Sequence, residues 1–338
     1  MGRAYRPRTP LGKVPPTQPG AGHSQNIVRA RSILLIQNVD REASMQLDDR
    51  TVVRSDAESP LRDRLQRVCL GVGVQWSAVA PVLEEFTDWL ASNTAVSIDP
   101  MKGALGITTG GDGQSLVYRT AKFMDRVGLP SPAERRFLAR AKQFHDAALR
   151  VKVEANLHGV REVSTYVCAP ASIRIAHACL ADSGVDAGGI GIMEAVAEVL
   201  GGLDADAIGT AASASGDVEE KVYFSVPASR HGWTDVRSAA HLAGVSDVDW
   251  AAMSALRPAL NDRPLRVSVN YRNGAFVPGI QVGIGGISPD LVDALLRTDG
   301  ERQRANMARN EWARKDFSSV SFRLTPGSPL TLKTSIAT

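Results

Sequence analysis

The chain has 338 residues, is 43% hydrophobic and carries a formal net charge of +3. That supplies a sizeable core, and no apolar run approaches the ~20 residues a membrane-spanning helix needs. The charge surplus is local: seven basic and two acidic residues precede Met45, the remainder has a net charge of −2, and bulk charge therefore excludes a nucleic-acid binder.

Residues 1–58 read as a disordered or loosely structured leader, opening on ~25 residues rich in Pro, Gly and Arg. The leader lacks the apolar core and cleavage site of a secretory signal. Arg6 stands where a myristoylation signal needs Ser or Thr. Met45 is an alternative start to Met1. Cys69, Cys168 and Cys179 lack metal-like spacing, and an odd, sparse set suits a reduced cytoplasm. Residues 59–338 read as one domain.

In chain order, Val79, Val82, Phe86, Trp89 and Leu90 mark a helix, followed by a turn at Met101-Lys102-Gly103. Ser131-Pro132-Ala133-Glu134 opens a second helix, with Ser131 as N-cap. Arg150, Lys152, Glu154 and Asn156 then alternate with Val151, Val153, Ala155 and Leu157. After His158-Gly159, Glu162, Ser164 and Tyr166 alternate with Val163, Thr165 and Val167. Ile192, Val196, Val199, Leu200 and Leu203 form a helical stripe. Beyond the turn at Ser215-Gly216-Asp217, Glu219, Lys221, Tyr223 and Ser225 oppose Val222, Phe224 and Val226. Trp233 to Gly244 reads as a helix with Gly244 as its C-cap. Arg266, Ser268 and Asn270 oppose Leu265, Val267 and Val269, leading into Asn273-Gly274, a strong hairpin signal. Ser288-Pro289-Asp290 starts another helix, and Glu301 to Asp316 reads as an amphipathic one with a solvated face. Ser319, Ser321 and Arg323, then Lys333 after Pro326-Gly327, continue the alternation.

Period-two alternation marks half-buried antiparallel strands. The turn glycines are spaced 56, 57, 58 and 53 residues apart. Such a period indicates a repeated unit, here helix, strand, turn, strand, helix, five times over. Helices cover the apolar face of each hairpin. Ten strands can close into a barrel without edges, whose polar face lines a lumen. Arg150, Lys152, Lys221, Arg266, Arg323 and Lys333 would converge there, a costly grouping unless an anion visits. In an open sheet, the alternative, the same cations would be a solvated face.

The fivefold repeat resembles the soluble aromatic prenyltransferases of the ABBA fold, from about Ser77 to Thr338. The resemblance is closest at Glu220-Lys221-Val222-Tyr223-Phe224-Ser225, across Leu265 to Ile287, and at Leu332-Lys333-Thr334-Ser335. It implies an α+β fold: a closed ten-stranded antiparallel barrel of five αββα repeats with helices outside. It also implies transfer of a prenyl group from an allylic diphosphate to an electron-rich aromatic acceptor in secondary metabolism, with neither membrane nor nucleic acid as partner. Lys221 and Tyr223 fit the family's Lys-x-Tyr pattern for diphosphate, and Lys333 fits its last-strand lysine. Lys152, Arg266 and Arg323 join them by strand parity. Tyr166 and Tyr223 would shield the carbocation. No Asp-Asp-x-x-Asp motif holds a metal, since Asp48-Asp49-Arg50-Thr51-Val52 lacks the third Asp, and no cofactor is implied.

Two departures from the family stand out. Ser164 occupies a position where the family often has a lysine, and Gln281 is the inward polar group where a basic residue is expected. Pro278 requires a bulge in a closed barrel, and Tyr271 has outward parity. The catalytic base is sought among the inward carboxylates Glu154, Asp99, Glu162 and Glu219, of which Glu154 reads equally as an ion-pair partner of its neighbouring cations. His145, His177, His231 and His241 read as surface or packing residues. Two other readings remain: prenylation of an aromatic side chain in a modified peptide, and a non-enzymatic barrel binding a hydrophobic anion or peptide. A pentein-type enzyme is also fivefold symmetric but needs a late nucleophilic Cys, and the last Cys here is Cys179.

Because the leader's composition cannot bury a core, a chain beginning at Met45 should melt at nearly the full-length temperature. A large drop on truncation would instead mean that Ile33-Leu34-Leu35-Ile36 packs on the folded part.

Overall fold

The computed structural model describes residues 58–338, apart from 91–93, 112–113, 145–146, 169, 229–231, 255 and 258–262. The leader, the Met45 start, Asp48-Asp49, His145 and His231 lie outside these residues.

Five strand hairpins alternate with pairs of helices. The strands are β1 (Thr94–Asp99), β2 (Ala104–Gly111), β3 (Ala148–Asn156), β4 (Gly159–Cys168), β5 (Ala207–Ser213), β6 (Val218–Val226), β7 (Leu265–Arg272), β8 (Ala275–Ile287), β9 (Phe317–Leu324) and β10 (Thr331–Ala337). Each pairs antiparallel with its neighbours in sequence, and β1 closes on β10 from Ala95–Ala337 to Ile98–Thr334. The sheet is therefore a closed barrel, and the open-sheet alternative falls. The five turn glycines, Gly103, Gly159, Gly216, Gly274 and Gly327, all have positive φ, a conformation that costs glycine little. All five hairpin turns lie at one end of the barrel, and the helical connections at the other.

The helices are α1 (Glu58–Val72), α2 (Trp76–Leu90), α3 (Gln114–Arg126), α4 (Ser131–Gln143), α5 (Ile173–Asp182), α6 (Ala187–Val199), α7 (Gly232–Leu242), α8 (Asp247–Ser254), α9 (Pro289–Asp293) and α10 (Asp299–Glu311). They bury the outward faces of the strands, where Val153, Val163, Val222, Phe224, Val267, Val282, Val320 and Phe322 are almost fully enclosed. Helix α1 packs on α10, with Arg67 ion-paired to Glu311.

Three helix boundaries differ from the sequence reading. The N-cap of α4 is Pro130, without a side-chain cap bond, so Ser131 is the first helical residue. Proline lacks an N–H and has a fixed φ, which suits that boundary. Helix α10 is capped by a reciprocal Thr298–Glu301 box and stops at Glu311, short of Asp316. There Ala313 takes a positive φ that breaks the helix. Helix α9 is a short piece that the Ser288-Pro289-Asp290 start alone could not delimit. Gly244, with a φ of 87°, lies just beyond α7, and the N–H of Val245 bonds back to Ala240, as a glycine-terminated helix requires.

Two features bend the ladder. The register of β7 against β8 shifts between Ser268 and Asn270, where Pro278 and Gly279 form the bulge that the proline demanded. Gly279 has a φ of 111°, and an added Cβ would lie 2.1 Å from the Leu324 carbonyl oxygen. A second shift, between Glu154 and Ala155, lies beside the β3–β4 turn.

One charge faces outward into the core. Glu220, on the apolar face of β6, is 1% exposed and binds Arg140, Arg136, Thr210 and Ser183. The network ties α4 and the end of α5 to the sheet. Removing one partner of a buried pair strands the others, so Glu220→Ala should destabilise the protein by about 3–5 kcal/mol. Urea unfolding should show a lower midpoint with an unchanged slope. A wild-type midpoint would mean that the pair contributes nothing.

Candidate active site

The lumen-facing side chains follow from strand parity. Across the register, Lys152 lies opposite Ser164, Arg150 opposite Tyr166, and Glu154 opposite Glu162. Lys221 lies opposite Asn270, Tyr223 opposite Ser268, and Ser225 opposite Arg266. Arg323 lies opposite Thr331 on one side and Gln281 on the other. Two glycines give the larger groups room. A Cβ at Gly106 would meet Lys152 Cε at 2.5 Å, and one at Gly209 would meet the Tyr166 ring at 2.8 Å.

The three lumen lysines are not left waiting for a ligand, as convergence alone suggested. The protein supplies its own anions. Glu154, 3% exposed, takes Lys152 at 3.2 Å and Lys333 on Oε2, and Arg161 at 2.9 Å on Oε1. Burial opposes the Glu154 charge, but Lys152, Lys333 and Arg161 outweigh it and hold the carboxyl well below the usual range. Lys221 lies 3.7 Å from Glu162 and 3.6 Å from Glu219. Burial likewise opposes its charge, yet Glu162, Tyr166, Tyr223 and Glu219 raise the ammonium well above its ordinary value. Glu162 also accepts from Ser164 at 2.6 Å. Against burial, Lys221 is the main influence that holds Glu162 down at about 2. Glu219 also binds Arg272 near the turn end.

Lys333 behaves differently. It shares Glu154 Oε2 with Lys152, so two ammonium groups compete for one oxygen. Burial and the Lys152 charge together pull Lys333 down to about 8, whereas Lys152 itself is raised.

The aromatic part of the lumen is small. Tyr166 and Tyr223 meet edge to face at 5.8 Å. The Arg266 guanidinium lies 4.6 Å from the Tyr223 ring centroid, a cation–π geometry. Burial, reinforced by Tyr166, pushes the Tyr223 phenol well up, so it remains a hydrogen-bond donor. Tyr271 faces outward as its parity requires, and its hydroxyl donates to the Gly189 carbonyl at 3.1 Å.

The four candidate carboxylates occupy distinct surroundings. Of the two readings left open for Glu154, the geometry is that of an ion-pair hub. Asp99 has inward parity at the turn end of β1, accepts from the Lys102 backbone N–H at 3.0 Å and pairs with the Lys102 side chain. Arg161 was not foreseen as a lumen group: the β3–β4 irregularity delivers it to Glu154, where strict parity would turn it outward. A cavity of ≈ 330 Å³ opens at the turn end between Arg161, Arg272, Glu162, Glu219 and Asp217. A hollow of ≈ 520 Å³ lies outside the barrel, between α3 and α4. Among the described residues, no cluster of His, Cys, Asp or Glu could hold a metal ion, and no helix is long and apolar enough to cross a membrane.

The lowered Lys333 value yields a pH prediction. Below about pH 8 the group is charged and ready for an anion. Above it, binding must first recruit a proton, which weakens affinity by at most about tenfold per pH unit. Inorganic pyrophosphate should therefore bind more weakly as pH rises from about 8 to 9.5, more steeply than to Lys333→Arg, whose guanidinium stays charged. Equal slopes in calorimetric titrations of the two proteins would remove Lys333 from the anion site.

No family model and no curated protein matches this chain. Solved structures do. The 5-dimethylallyl tryptophan synthase of Streptomyces coelicolor, in complex with DMASPP and Trp, aligns with a TM-score of 0.60 at 16% identity, covering 83% of this chain and 94% of that one. The 6-dimethylallyltryptophan synthase of Micromonospora olivasterospora, also with DMASPP and Trp, gives 0.61 at 14% identity over 85% and 98%. PriB, in a binary complex with product diphosphate, gives 0.59 at 13% identity over 83% and 96%. At these identities the likeness is one of fold: the chain has the closed ABBA barrel of the aromatic prenyltransferases.

Proposed function

We propose that this barrel transfers a prenyl group from an allylic diphosphate to an electron-rich aromatic acceptor, as a cytoplasmic enzyme of secondary metabolism. The observation that carries the reading is the grouping of Lys221, Arg266 and the Tyr166–Tyr223 pair inside a closed barrel. Barrels of the same fold have been crystallised with DMASPP and Trp, and with diphosphate. The free cysteines fit a reduced compartment.

In this reading Lys152, Lys221, Lys333, Arg266 and Arg323 bind the diphosphate, and the Tyr223 hydroxyl donates to it. The allylic C–O bond breaks and its electron pair leaves with the diphosphate, whose growing charge these groups stabilise. The aromatic ring then attacks the allylic carbon. Tyr166 and Tyr223 present π faces to the cation and keep water away. The ring proton finally passes to a carboxylate. Glu162, with a single lysine at 3.7 Å, is freer for this than Glu154, which is committed to three cations. We assign Glu154 to holding Lys152 and Lys333 in place, and Asp99 to the turn. A strongly acidic arenium ion needs only a weak base, so the low value of Glu162 is no obstacle. Diphosphate is held by side chains, without a cofactor or metal.

The glutamates that already neutralise the lumen favour a second reading, a barrel that binds a hydrophobic anion or peptide without turning it over. The two separate by mass spectrometry, with dimethylallyl, geranyl and farnesyl diphosphate offered against phenols, indoles and aromatic peptides. A prenylated peptide would assign the acceptor to a modified peptide, and binding without product would establish the second reading.

A charge-assisted contact is worth about 1.5–3 kcal/mol. Lys221→Ala should therefore weaken donor binding, or slow turnover, by about tenfold to a hundredfold. Lys315→Ala, exposed beyond α10, should change little. Turnover should persist in EDTA. Normal kinetics in the Lys221 variant, together with loss of activity in EDTA, would refute the lumen-cation mechanism.

A further inference from the structure

Strand β7 presents Arg266, Ser268 and Asn270 to the lumen in succession, and each has an orphan atom. Arg266 Nε, Ser268 Oγ and Asn270 Oδ1 are buried and find no hydrogen-bond partner among the described residues. The fourth atom of this kind, Thr109 Oγ1, belongs to β2 and has outward parity. Ser268 and Asn270 are 1% and 2% exposed. Buried polar atoms are paired in the great majority of cases, so three on alternate residues of one strand mark a place where something else binds.

The reason Asn270 stands alone is visible in the register. On one side it faces Lys221, whose ammonium is engaged by Glu162 and Glu219. On the other, the Pro278-Gly279 bulge brings Val277 opposite it, a side chain with no polar group. Ser268 faces Tyr223 and Gln281.

The chemistry of the orphan atoms limits the ligand. A carboxamide oxygen only accepts hydrogen bonds. A fully ionised diphosphate offers only acceptors, and a prenyl chain offers neither donor nor acceptor. The partner of Asn270 must bring a donor. Resting on the prenyl-transfer reading, we infer that Asn270, with Ser268 beside it, holds the ring N–H or O–H of the aromatic acceptor. Arg266 Nε, a donor, stays with the diphosphate. Directly paired side chains lie about 4.5–5.5 Å apart, so a ring anchored at Asn270 sits next to Lys221 and the tyrosine pair. Asn270 is thus a positioning residue: the hydrogen bond it accepts fixes which ring carbon meets the allylic carbon.

The test compares indole with 1-methylindole, which keeps the ring and lacks the N–H, by saturation-transfer NMR competition on the full chain. Wild type should favour indole by up to about tenfold, the range of one net hydrogen bond. Asn270→Leu should remove the preference, and Asn270→Asp, which retains an accepting oxygen, should restore it. In turnover assays Asn270→Leu should raise the acceptor KM and scatter the site of prenylation while leaving the donor KM unchanged. No preference in wild type, or an undiminished preference and unchanged products in Asn270→Leu, overturns the inference even if the wild-type protein prenylates indoles. The wild-type comparison needs no variant, so a misfolded Asn270→Leu leaves the test intact. Failure of the enzyme reading itself would appear separately, as wild-type protein that forms no product from any donor.

Discussion

Closure of the barrel is the constraint from which the rest follows. A sheet with one polar face normally turns that face to water. Joining β1 to β10 encloses it, and every charge on it must then find a counter-charge within reach. Glu154 meets that demand for Lys152, Lys333 and Arg161, and Glu162 and Glu219 meet it for Lys221. Charges taken from water are tolerated only when they are well paired. The lumen is therefore a lattice of alternating charge, and its lysines are already aimed inward before any ligand arrives. In the proposed reaction, a diphosphate would exchange one set of anionic partners for another and would not have to assemble the site.

Much of this was legible in the sequence because the signal was repeated. A single Asn273-Gly274 hairpin is a local observation. Five turn glycines at nearly equal spacing, each between strands of the same parity, fix an architecture, and the inward positions of Lys152, Lys221, Tyr223, Arg266, Arg323 and Lys333 follow from it. What parity could not convey was compensation. Alternation assigns a face to each residue and says nothing about which cation meets which glutamate across strands far apart in sequence, as Lys333 meets Glu154. It also fails at bulges, where Arg161 reaches the lumen against its nominal side. Glu220 was hidden for the opposite reason: it shares the face of Val222 and Phe224, where a carboxylate is out of place unless helices bring Arg136 and Arg140 to it. Those arginines lie ~80 residues earlier, on α4, beyond the reach of local pattern reasoning.

The lumen's aromatic and cationic parts also constrain each other. The Tyr223 ring is already engaged by the Arg266 guanidinium, and it meets Tyr166 in a T-shaped contact. An allylic cation placed directly against Arg266 would be repelled by it. Under the prenyl-transfer proposal, the arrangement is consistent only if the diphosphate lies between them, with its charge on Arg266 and Lys221 and the allyl group beyond. The tyrosines then provide the wall that the cation meets, and the open hydrogen-bonding position at Asn270 falls on the adjoining strand. The charge sequence from guanidinium to diphosphate to allylic cation to aromatic ring alternates as the lattice of the resting barrel does. Under the prenyl-transfer proposal, the field that stabilises the lumen without a ligand is the same field that would favour ionising an allylic diphosphate.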